Sequence, residues 1–274
     1  MYLVLAFIFG LLFGSYGNSV VYRLPRKLFE EYHRDAHEAL NLEIPEKDAS
    51  LTSTRSCCPH CKTQIAWYDN IPLVSWLALR AKCRNCRAPI SPRYFMLELS
   101  GGLLGLGAYL AYGATIPAVI AFAVTLLLLW LTAIDIEHLI LPDELVYLVL
   151  WGGLLASTQG YFVSPTKAIV GAALGFALPA AVAKGFALLR GVDGMGGGDF
   201  KLLAALGAFA GPMGVILVLL SAAFFQVFVQ GTLILARRLK KDSPFPFGPS
   251  LALFGAAAIL LSHPFQGWLA SIGQ

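Results

Sequence analysis

Apolar stretches of about 20 residues recur along this chain, and only one long polar segment, residues 23–94, separates them. A helix of that length matches the thickness of the hydrocarbon core of a bilayer. Charged residues make up only 13% of the chain, against roughly 25% in a soluble domain. The sequence therefore predicts an all-α polytopic membrane protein, with the lipid bilayer as its surroundings.

Glycine, proline and charged residues divide the apolar sequence into about eight predicted transmembrane helices. These cover residues 2–21, 95–112, 116–134, 143–157, 166–189, 200–210, 214–236 and 249–261, the last possibly extending to residue 270. Gly211-Pro212 is the predicted break between the sixth and seventh. The sixth helix is only about 16 Å long at 1.5 Å per residue, roughly half of a bilayer core. Its preceding glycine loop is therefore expected at membrane depth, in a protein-lined or hydrated cavity.

Basic residues indicate how the helices are oriented. Residues 23–94 contain 12 of the 20 Lys and Arg residues, and the predicted cytoplasmic connections together contain 17 of them. Because cytoplasmic loops are rich in Lys and Arg, the polar segment is predicted to be cytoplasmic and the N-terminus periplasmic. The first helix is followed, not preceded, by basic residues, which is the reverse of a cleaved signal peptide. The net charge of +4 needs no nucleic-acid partner to explain it.

This pattern predicts three parts. They are a first transmembrane helix (1–22), a small cytoplasmic zinc-binding domain (23–94) between the first and second helices, and a seven-helix membrane domain (95–274).

Two acidic motifs fall at the cytoplasmic ends of different predicted helices. Asp135 lies in "LTAIDIEHLILPD" at the end of the third helix, and Asp199 lies in "GMGGGDFKLL" at the start of the sixth. A charge in hydrocarbon is costly and usually has a function. Two carboxylates in one pocket do not readily both ionise, so one serves as an acid and the other as a base. Such a pair can activate water and protonate a leaving amine, which is aspartic-protease chemistry.

The acidic residues also have possible structural roles. An aspartate at a helix start is often an N-cap, which is the favoured reading of Asp143 after Pro142 and an alternative for Asp199. This structural role does not apply to Asp135, because the dipole at the C-terminal end of a helix disfavours a negative charge. Glu137 and His138 are interpreted as interfacial residues.

The residues around Asp199 are expected to support it. Gly196 and Gly198 are predicted to allow positive φ and a close approach of an extended peptide. Lys201 either pairs with Asp199 or extends to the membrane surface, and the sequence leaves both open.

All five cysteines lie between Cys57 and Cys86. The pairs Cys58/Cys61 and Cys83/Cys86 form two C-x-x-C knuckles, the spacing of a tetrahedral zinc–thiolate site. A disulfide framework is disfavoured in a reducing cytoplasm. Cys57 and His60 are interpreted as bystanders, although either could replace a ligand.

Together these motifs resemble the type IV prepilin leader peptidases over nearly the whole chain. "FGSYGNSVVYRLP" (13–25) is similar to the exit of the family's first helix, and residues 58–99 are similar to its cysteine domain. "AIDIEHLILPD" (133–143) and "GMGGGDFKLLAALGA" (194–208) resemble its two aspartate motifs. The second contains the G-x-G-D of intramembrane aspartyl proteases at 196–199.

The resemblance implies a bifunctional enzyme of the bacterial inner membrane. Such enzymes remove the leader of prepilins and pseudopilins at the cytoplasmic face, then methylate the new N-terminal residue with S-adenosylmethionine. The family's catalytic aspartates correspond to Asp135 and Asp199, and its metal-binding cysteines to the four knuckle cysteines. No S-adenosylmethionine fingerprint is legible, so the residues that would bind this methyl donor stay unknown. Ala81 stands where the family usually has glycine, which keeps a peptidase without methyltransferase activity open as an alternative.

Two further functions are alternatives for such a sequence. An ion-coupled transporter would favour inverted repeats and more acidic residues at the midplane, and the sequence shows neither. A zinc-stabilised assembly factor would explain the cysteines but not two acidic residues on one membrane face.

The topology can be tested with reporter fusions at positions 40, 114 and 194. We expect cytoplasmic signals at Leu40 and Gly194 and a periplasmic signal at Ala114, because the basic connections stay in the cytoplasm. A cytoplasmic signal at position 114 would contradict this orientation.

Overall fold

The computed structural model describes residues 1–43, 56–191, 196–240 and 243–272, and over these residues most of the chain is helical, apart from the turns and irregular structure that make up most of residues 56–91. The helices are α1 (Tyr2–Ala39), α2 (Val74–Ala78), α3 (Pro92–Tyr112), α4 (Ile116–His138), α5 (Asp143–Thr158), α6 (Pro165–Arg190), α7 (Gly197–Leu235) and α8 (Gly248–Ile272), with a 3₁₀ turn at Trp67–Asn70 before α2. The predicted all-α class is confirmed for this part of the chain.

Within the part of the chain that the structure describes, five helices are long and apolar enough to cross a membrane: α1, α3, α4, α6 and α7. The helix α5 has 16 residues, and the apolar part of α8, Gly248–Leu261, is also shorter than a typical span. The multi-pass character of the chain is thus supported, whereas the count of eight spans stays a prediction.

Several predicted helix boundaries differ from the observed ones, most of all the end of the first helix. The first helix does not end at Val21 but continues to Ala39 through Pro25. The residues that follow Val21 are rich in Arg, Lys, Glu and Leu, which are good helix formers, so the helix outlasts its apolar stretch. The helix that carries Asp199 begins at Gly197 rather than at Phe200.

The predicted break at Gly211-Pro212 is confirmed. Gly211 has φ 70° and ψ −176°, a conformation essentially reserved for glycine, and it divides α7 into two halves. Pro212 adds to the break because it cannot donate a backbone hydrogen bond to the preceding turn.

The chain divides into two compact units, residues 1–106 and 107–274. In the first unit, α1 and α3 pack through glycines, so closely that a side chain at Gly101 would lie 2.6 Å from the Gly10 carbonyl oxygen. The buried Glu98 on α3 accepts hydrogen bonds at 2.8 Å from the Ser15 hydroxyl and the Leu73 N–H. These bonds connect α3 with α1 and with the segment that enters α2.

In the second unit, α4 and the first half of α7 supply most of the core. Leu131 and Ile134 of α4 and Leu202, Leu203 and Leu206 of α7 are almost completely buried. Small residues bring the helices together, as is common in membrane proteins. A methyl group at Gly207 of α7 would overlap the Gly171 carbonyl oxygen of α6, and one at Gly153 of α5 would lie 2.8 Å from Ala208.

Replacing Gly207 by alanine is expected to destabilise the second unit by about 1–3 kcal/mol, because the backbones of α6 and α7 must move apart. Gly185→Ala in α6 is the matched control, since a side chain there would have nothing within 4 Å. Thermal unfolding in detergent should show a lower Tm for Gly207→Ala only. An unchanged Tm would contradict the close helix contact.

Candidate active site and metal cluster

Asp135 lies in the last turn of α4 and is only 5% exposed. The helix ends within one turn after it, at His138, because Leu139 adopts a left-handed conformation (φ 56°, ψ 35°). The Asp135 Oδ2 atom accepts a hydrogen bond of 2.9 Å from the backbone N–H of Gly248, the first residue of α8. A helix N-terminus therefore provides a donor for the buried carboxylate.

Asp199 lies in the first turn of α7, three residues after the N-cap residue Gly196. Its carboxylate accepts a hydrogen bond from the backbone of Gly196. In a capping box, the side chain of the third helical residue bonds back to the N-cap backbone in the same way. It also lies close enough to Asp135 for the two carboxylates to interact electrostatically. The structure therefore brings the two sequence-predicted aspartates together from the end of α4 and the start of α7.

Leu141 lies between the starts of α7 and α8, close to Asp135 and Asp199. A side chain at Gly198 would lie 3.0 Å from the Leu141 Cβ, and one at Gly248 would lie 3.1 Å from its Cδ2. Leu141 thus contacts the starts of both α7 and α8, next to the two aspartates.

The expected reason for the glycines is wrong in one respect. Gly196 has φ −69° and ψ 142°, and neither it nor Gly198 is among the described glycines with positive φ. Gly198 lacks a side chain for reasons of space, since Leu141 is so close. The expected approach of an extended peptide to these glycines stays a prediction.

Lys201 pairs with a different acid from the one considered in the sequence. Its Nζ donates to both carboxylate oxygens of Asp143, at 2.8 and 2.7 Å. Residues two apart on a helix point to different faces, so Lys201 does not share the direction of Asp199. The ion pair that the structure describes for Lys201 is thus with Asp143, and extension of its side chain to the membrane surface stays a prediction.

The predicted N-cap role of Asp143 is also wrong. The N-cap of α5 is Pro142, and Asp143 is the first helical residue, with no side-chain capping bond. Its carboxylate instead connects α5 with α7 through Lys201, a contact that depends on how these helices pack.

The four knuckle cysteines form a cluster in the first unit. The Sγ atoms of Cys58, Cys61, Cys83 and Cys86 all lie within 4.8 Å of one another, which allows them to hold a metal ion. Cys57 and His60 are not part of this cluster, in line with their reading as bystanders.

Both knuckles have the same backbone design. The Cys58 N–H bonds to the Thr63 carbonyl, and the Cys83 N–H bonds to the Ala88 carbonyl, at 3.0 and 2.8 Å. The residue after each second cysteine, Lys62 or Arg87, is left-handed. This repeated turn aims the two thiols of each knuckle in one direction.

Electrostatics within the cluster favour metal binding. Hydrogen bonds from Thr63 lower the pKa of the Cys61 thiol to about 5, and N–H groups of Cys86 and Asn85 lower the pKa of Cys83. The pKa of Cys86 rises to about 11 because burial and the three neighbouring thiols outweigh a backbone hydrogen bond from Ala88. A divalent cation would relieve this competition by binding the thiolates directly.

Two contacts stabilise the knuckles, and neither is predicted from the sequence. Arg84 donates to both carboxylate oxygens of Asp69 at 2.7 and 2.6 Å, connecting the second knuckle with the 3₁₀ turn. The Asn85 side chain donates to the Thr63 hydroxyl at 2.8 Å and so connects the two knuckles.

Gly248 is the residue at the aspartate pair that sequence reasoning missed. The local signal is the Gly-Pro step in "PFPFGPS", which lies at the predicted start of the last helix. Its contact with Asp135 joins residues 113 positions apart, beyond the reach of any sequence motif.

Comparison with known proteins matches both units. The model of the bacterial peptidase A24 N-terminal domain matches residues 8–112, and that of the type IV leader peptidase family matches residues 122–230, which include both aspartates. A prepilin leader peptidase/N-methyltransferase of Aeromonas hydrophila is 41% identical over 98% of this chain and 93% of its own length. The chain belongs to the type IV leader peptidase family.

Other relatives support the same assignment. Proteins of the same name from Pseudomonas aeruginosa and Burkholderia pseudomallei (strain 1026b) are 40% and 39% identical, over 92% and 97% of this chain and 87% of each relative. No solved structure matches the chain significantly.

Ala81, two residues before the second knuckle, adopts φ 55°. Its N–H bonds to the Trp76 carbonyl and its carbonyl accepts from Ile90, so it closes the end of α2 and leads into the second knuckle. The preceding Arg80 is also left-handed, with φ 50°. The turn thus uses a conformation that costs an L-residue roughly 1–2 kcal/mol and glycine far less.

We expect Ala81→Gly to stabilise the first unit by about 0.5–1 kcal/mol, since the strain relieved exceeds the added chain entropy. Ala88→Gly is the control, because Ala88 is not among the described residues with positive φ, and it should lower stability. Thermal unfolding of the purified protein measures both. A lower Tm for Ala81→Gly would show that the alanine is not strained.

Proposed function

We infer that this chain removes the leader peptide of type IV prepilins and pseudopilins at the cytoplasmic membrane face and N-methylates the residue that the cut exposes. The observation that carries this inference is that Asp135 and Asp199 lie close enough to interact electrostatically, in the segment that matches the leader peptidase family. The names of the relatives support both activities. An ion-coupled transporter, considered from the sequence, has no such support.

We propose that Asp135 and Asp199 are the catalytic pair. One carboxylate takes a proton from a water molecule as its oxygen attacks the scissile carbonyl carbon. The other carboxylic acid gives its proton to the amide nitrogen as the C–N bond breaks. The Gly248 N–H and the Gly196 backbone hold the two carboxylates so that this exchange needs little rearrangement.

The proposed membrane arrangement follows from the charge distribution. The first helix (1–22) and the seven-helix domain (95–274) span the inner membrane, with the N-terminus in the periplasm. The segment 23–94 lies in the cytoplasm. The concentration of 12 of the 20 basic residues in that segment supports this orientation.

Zinc is the metal proposed for the cysteine cluster. Four thiolates at mutual Sγ distances within 4.8 Å suit a tetrahedral ion. With Cys58, Cys61, Cys83 and Cys86 all bound, no coordination position stays open, so the ion would hold the two knuckles together rather than take part in cleavage.

Methyl transfer has its own chemical requirement. S-adenosylmethionine supplies the methyl group, and the acceptor is the neutral amine of the new N-terminus, which exists only after cleavage. The order of the two reactions is therefore fixed by the substrate. Mass spectrometry of a prepilin incubated with the purified protein and S-adenosylmethionine tests the proposal: the expected product is shortened and carries one additional methyl group. A cut but unmethylated product would identify a peptidase alone.

Asp135→Asn and Asp199→Asn are each expected to reduce cleavage to background, because each removes half of one acid–base pair. Asp135→Asn should still methylate a pre-cleaved pilin. Asp143→Asn makes the same chemical change in a partly exposed ion pair, worth about 0–1 kcal/mol, and should leave cleavage nearly unchanged. Robust cleavage by either Asp135→Asn or Asp199→Asn would refute the catalytic pair.

Metal analysis of the purified protein is expected to give about one zinc per chain, as for a closed four-thiolate site. Cys83→Ser should lower the zinc content and destabilise residues 57–90, whereas Cys57→Ser should change neither. Full occupancy after Cys83→Ser would make Cys57 or His60 a true ligand.

A further inference from the structure

Gly248 is glycine because of the space around it. It is buried, and its φ is not positive, so the backbone alone would accept any L-residue. A Cβ at this position would lie 2.6 Å from the Asp135 Oδ2 atom, which is too close for any real contact. Residue 248 can therefore bring its N–H to the Asp135 carboxylate only if it has no side chain.

One polar side chain from another helix forms hydrogen bonds with the turn that contains Gly248. Gln226, in the largely apolar second half of α7, donates from Nε2 to the Pro246 carbonyl at 3.0 Å. Its Oε1 accepts from the Ser250 hydroxyl at 2.6 Å, and Ser250 is 4% exposed. Gln226 thus bonds to the chain on both sides of Gly248, two residues before it and two residues after it.

A primary amide in an apolar helix costs free energy unless its donors and acceptors are satisfied. Here both ends of the amide are used, and both partners belong to the turn that presents the Gly248 N–H. The neighbouring ring pair Phe225–Phe254, with centroids 5.7 Å apart, packs α7 against α8 at the same level. The position of Gly248 therefore depends on α7 as well as on α8.

We propose that Gln226 is a positioning residue for peptide cleavage, which acts through the 246–250 turn and the Gly248 N–H to hold the Asp135 carboxylate toward Asp199. This inference rests on the proposed role of Asp135 as half of the catalytic pair. Gln226 touches neither aspartate in the described contacts, and its effect passes through the backbone of Gly248.

The test measures kcat and KM for prepilin cleavage by the full-length protein in detergent. Gln226→Leu removes both hydrogen bonds but keeps the size of the side chain and suits an apolar helix. We expect its kcat to fall about 10–100-fold with KM unchanged, since a displaced catalytic group weakens only the transition state. Ser250→Ala breaks one of the two bonds and should give a smaller decrease.

Gly248→Ala should lower kcat by about 100-fold or more, because its methyl group displaces the carboxylate itself. The double variant Gln226→Leu/Gly248→Ala should be no slower than Gly248→Ala, since both changes act through one contact. If Gly248→Ala does not fold, the Gln226→Leu and Ser250→Ala results decide the matter.

Two control variants come from the same helix. Gly231→Ala adds a methyl group where nothing lies within 4 Å, and Thr232→Val removes a hydroxyl that bonds only within α7, to the Val229 carbonyl. Both should cleave at the wild-type rate. Methylation of a pre-cleaved pilin should be unchanged in all of these variants.

Wild-type kcat in Gln226→Leu, with Asp135→Asn inactive, would overturn this inference and leave the proposed function intact. A parallel loss of cleavage, methylation and thermal stability in Gln226→Leu would also overturn it, since that pattern indicates general unfolding. Active Asp135→Asn would instead overturn the proposed function itself.

Discussion

Placing two carboxylates among apolar helices, Asp135 buried and Asp199 partly buried, is the constraint on which the second unit depends. A desolvated carboxylate is costly unless donors are aimed at it. Here the donors are backbone N–H groups at helix starts: Gly248 of α8 for Asp135, and Gly196 before α7 for Asp199. Such donors are rigid and suit a negative charge, because they lie at the positive end of the helix dipole. The end of α4 and the starts of α7 and α8 must therefore converge on one point.

Convergence of this kind requires close helix packing, and small residues supply it. Gly171 and Gly207 let the backbones of α6 and α7 touch, and Gly153 lets α5 approach Ala208. The break at Gly211 separates the half of α7 that carries Asp199 from the half that carries Gln226. One helix thus contributes a carboxylate to the pair and, past its break, the amide that holds the turn bonded to the other carboxylate.

The cysteine-containing segment of the first unit is stabilised in a different way. The segment that carries the cysteines has few buried apolar side chains, with Cys58 among the few, so a hydrophobic core cannot hold it alone. Repeated turns, the Arg84–Asp69 pair and the four clustered thiols take that role. A bound metal would make the folding of this segment depend on thiolate ligation.

The sequence by itself determined the features that depend on local pattern. Composition and apolar length indicated the all-helical membrane class, the C-x-x-C pairs indicated the cysteine cluster, and Gly211-Pro212 indicated the break in α7. Charge and apolar context also singled out Asp135 and Asp199, because an acid in such surroundings is costly. The end of α1 was missed for a local reason: helix propensity continues beyond Val21, where the apolar pattern stops.

Only the tertiary structure decided the partners of these residues. Lys201 pairs with Asp143, Gly248 with Asp135, and Gln226 with Pro246 and Ser250. Each pair joins segments that are distant in sequence or lie on separate helices. No sequence pattern around these residues indicates which partner each one has. A glycine before proline or a glutamine in an apolar helix has many possible neighbours. Helix packing selects one of them, because a buried polar group is stable only where the folded chain places its partner within hydrogen-bonding distance.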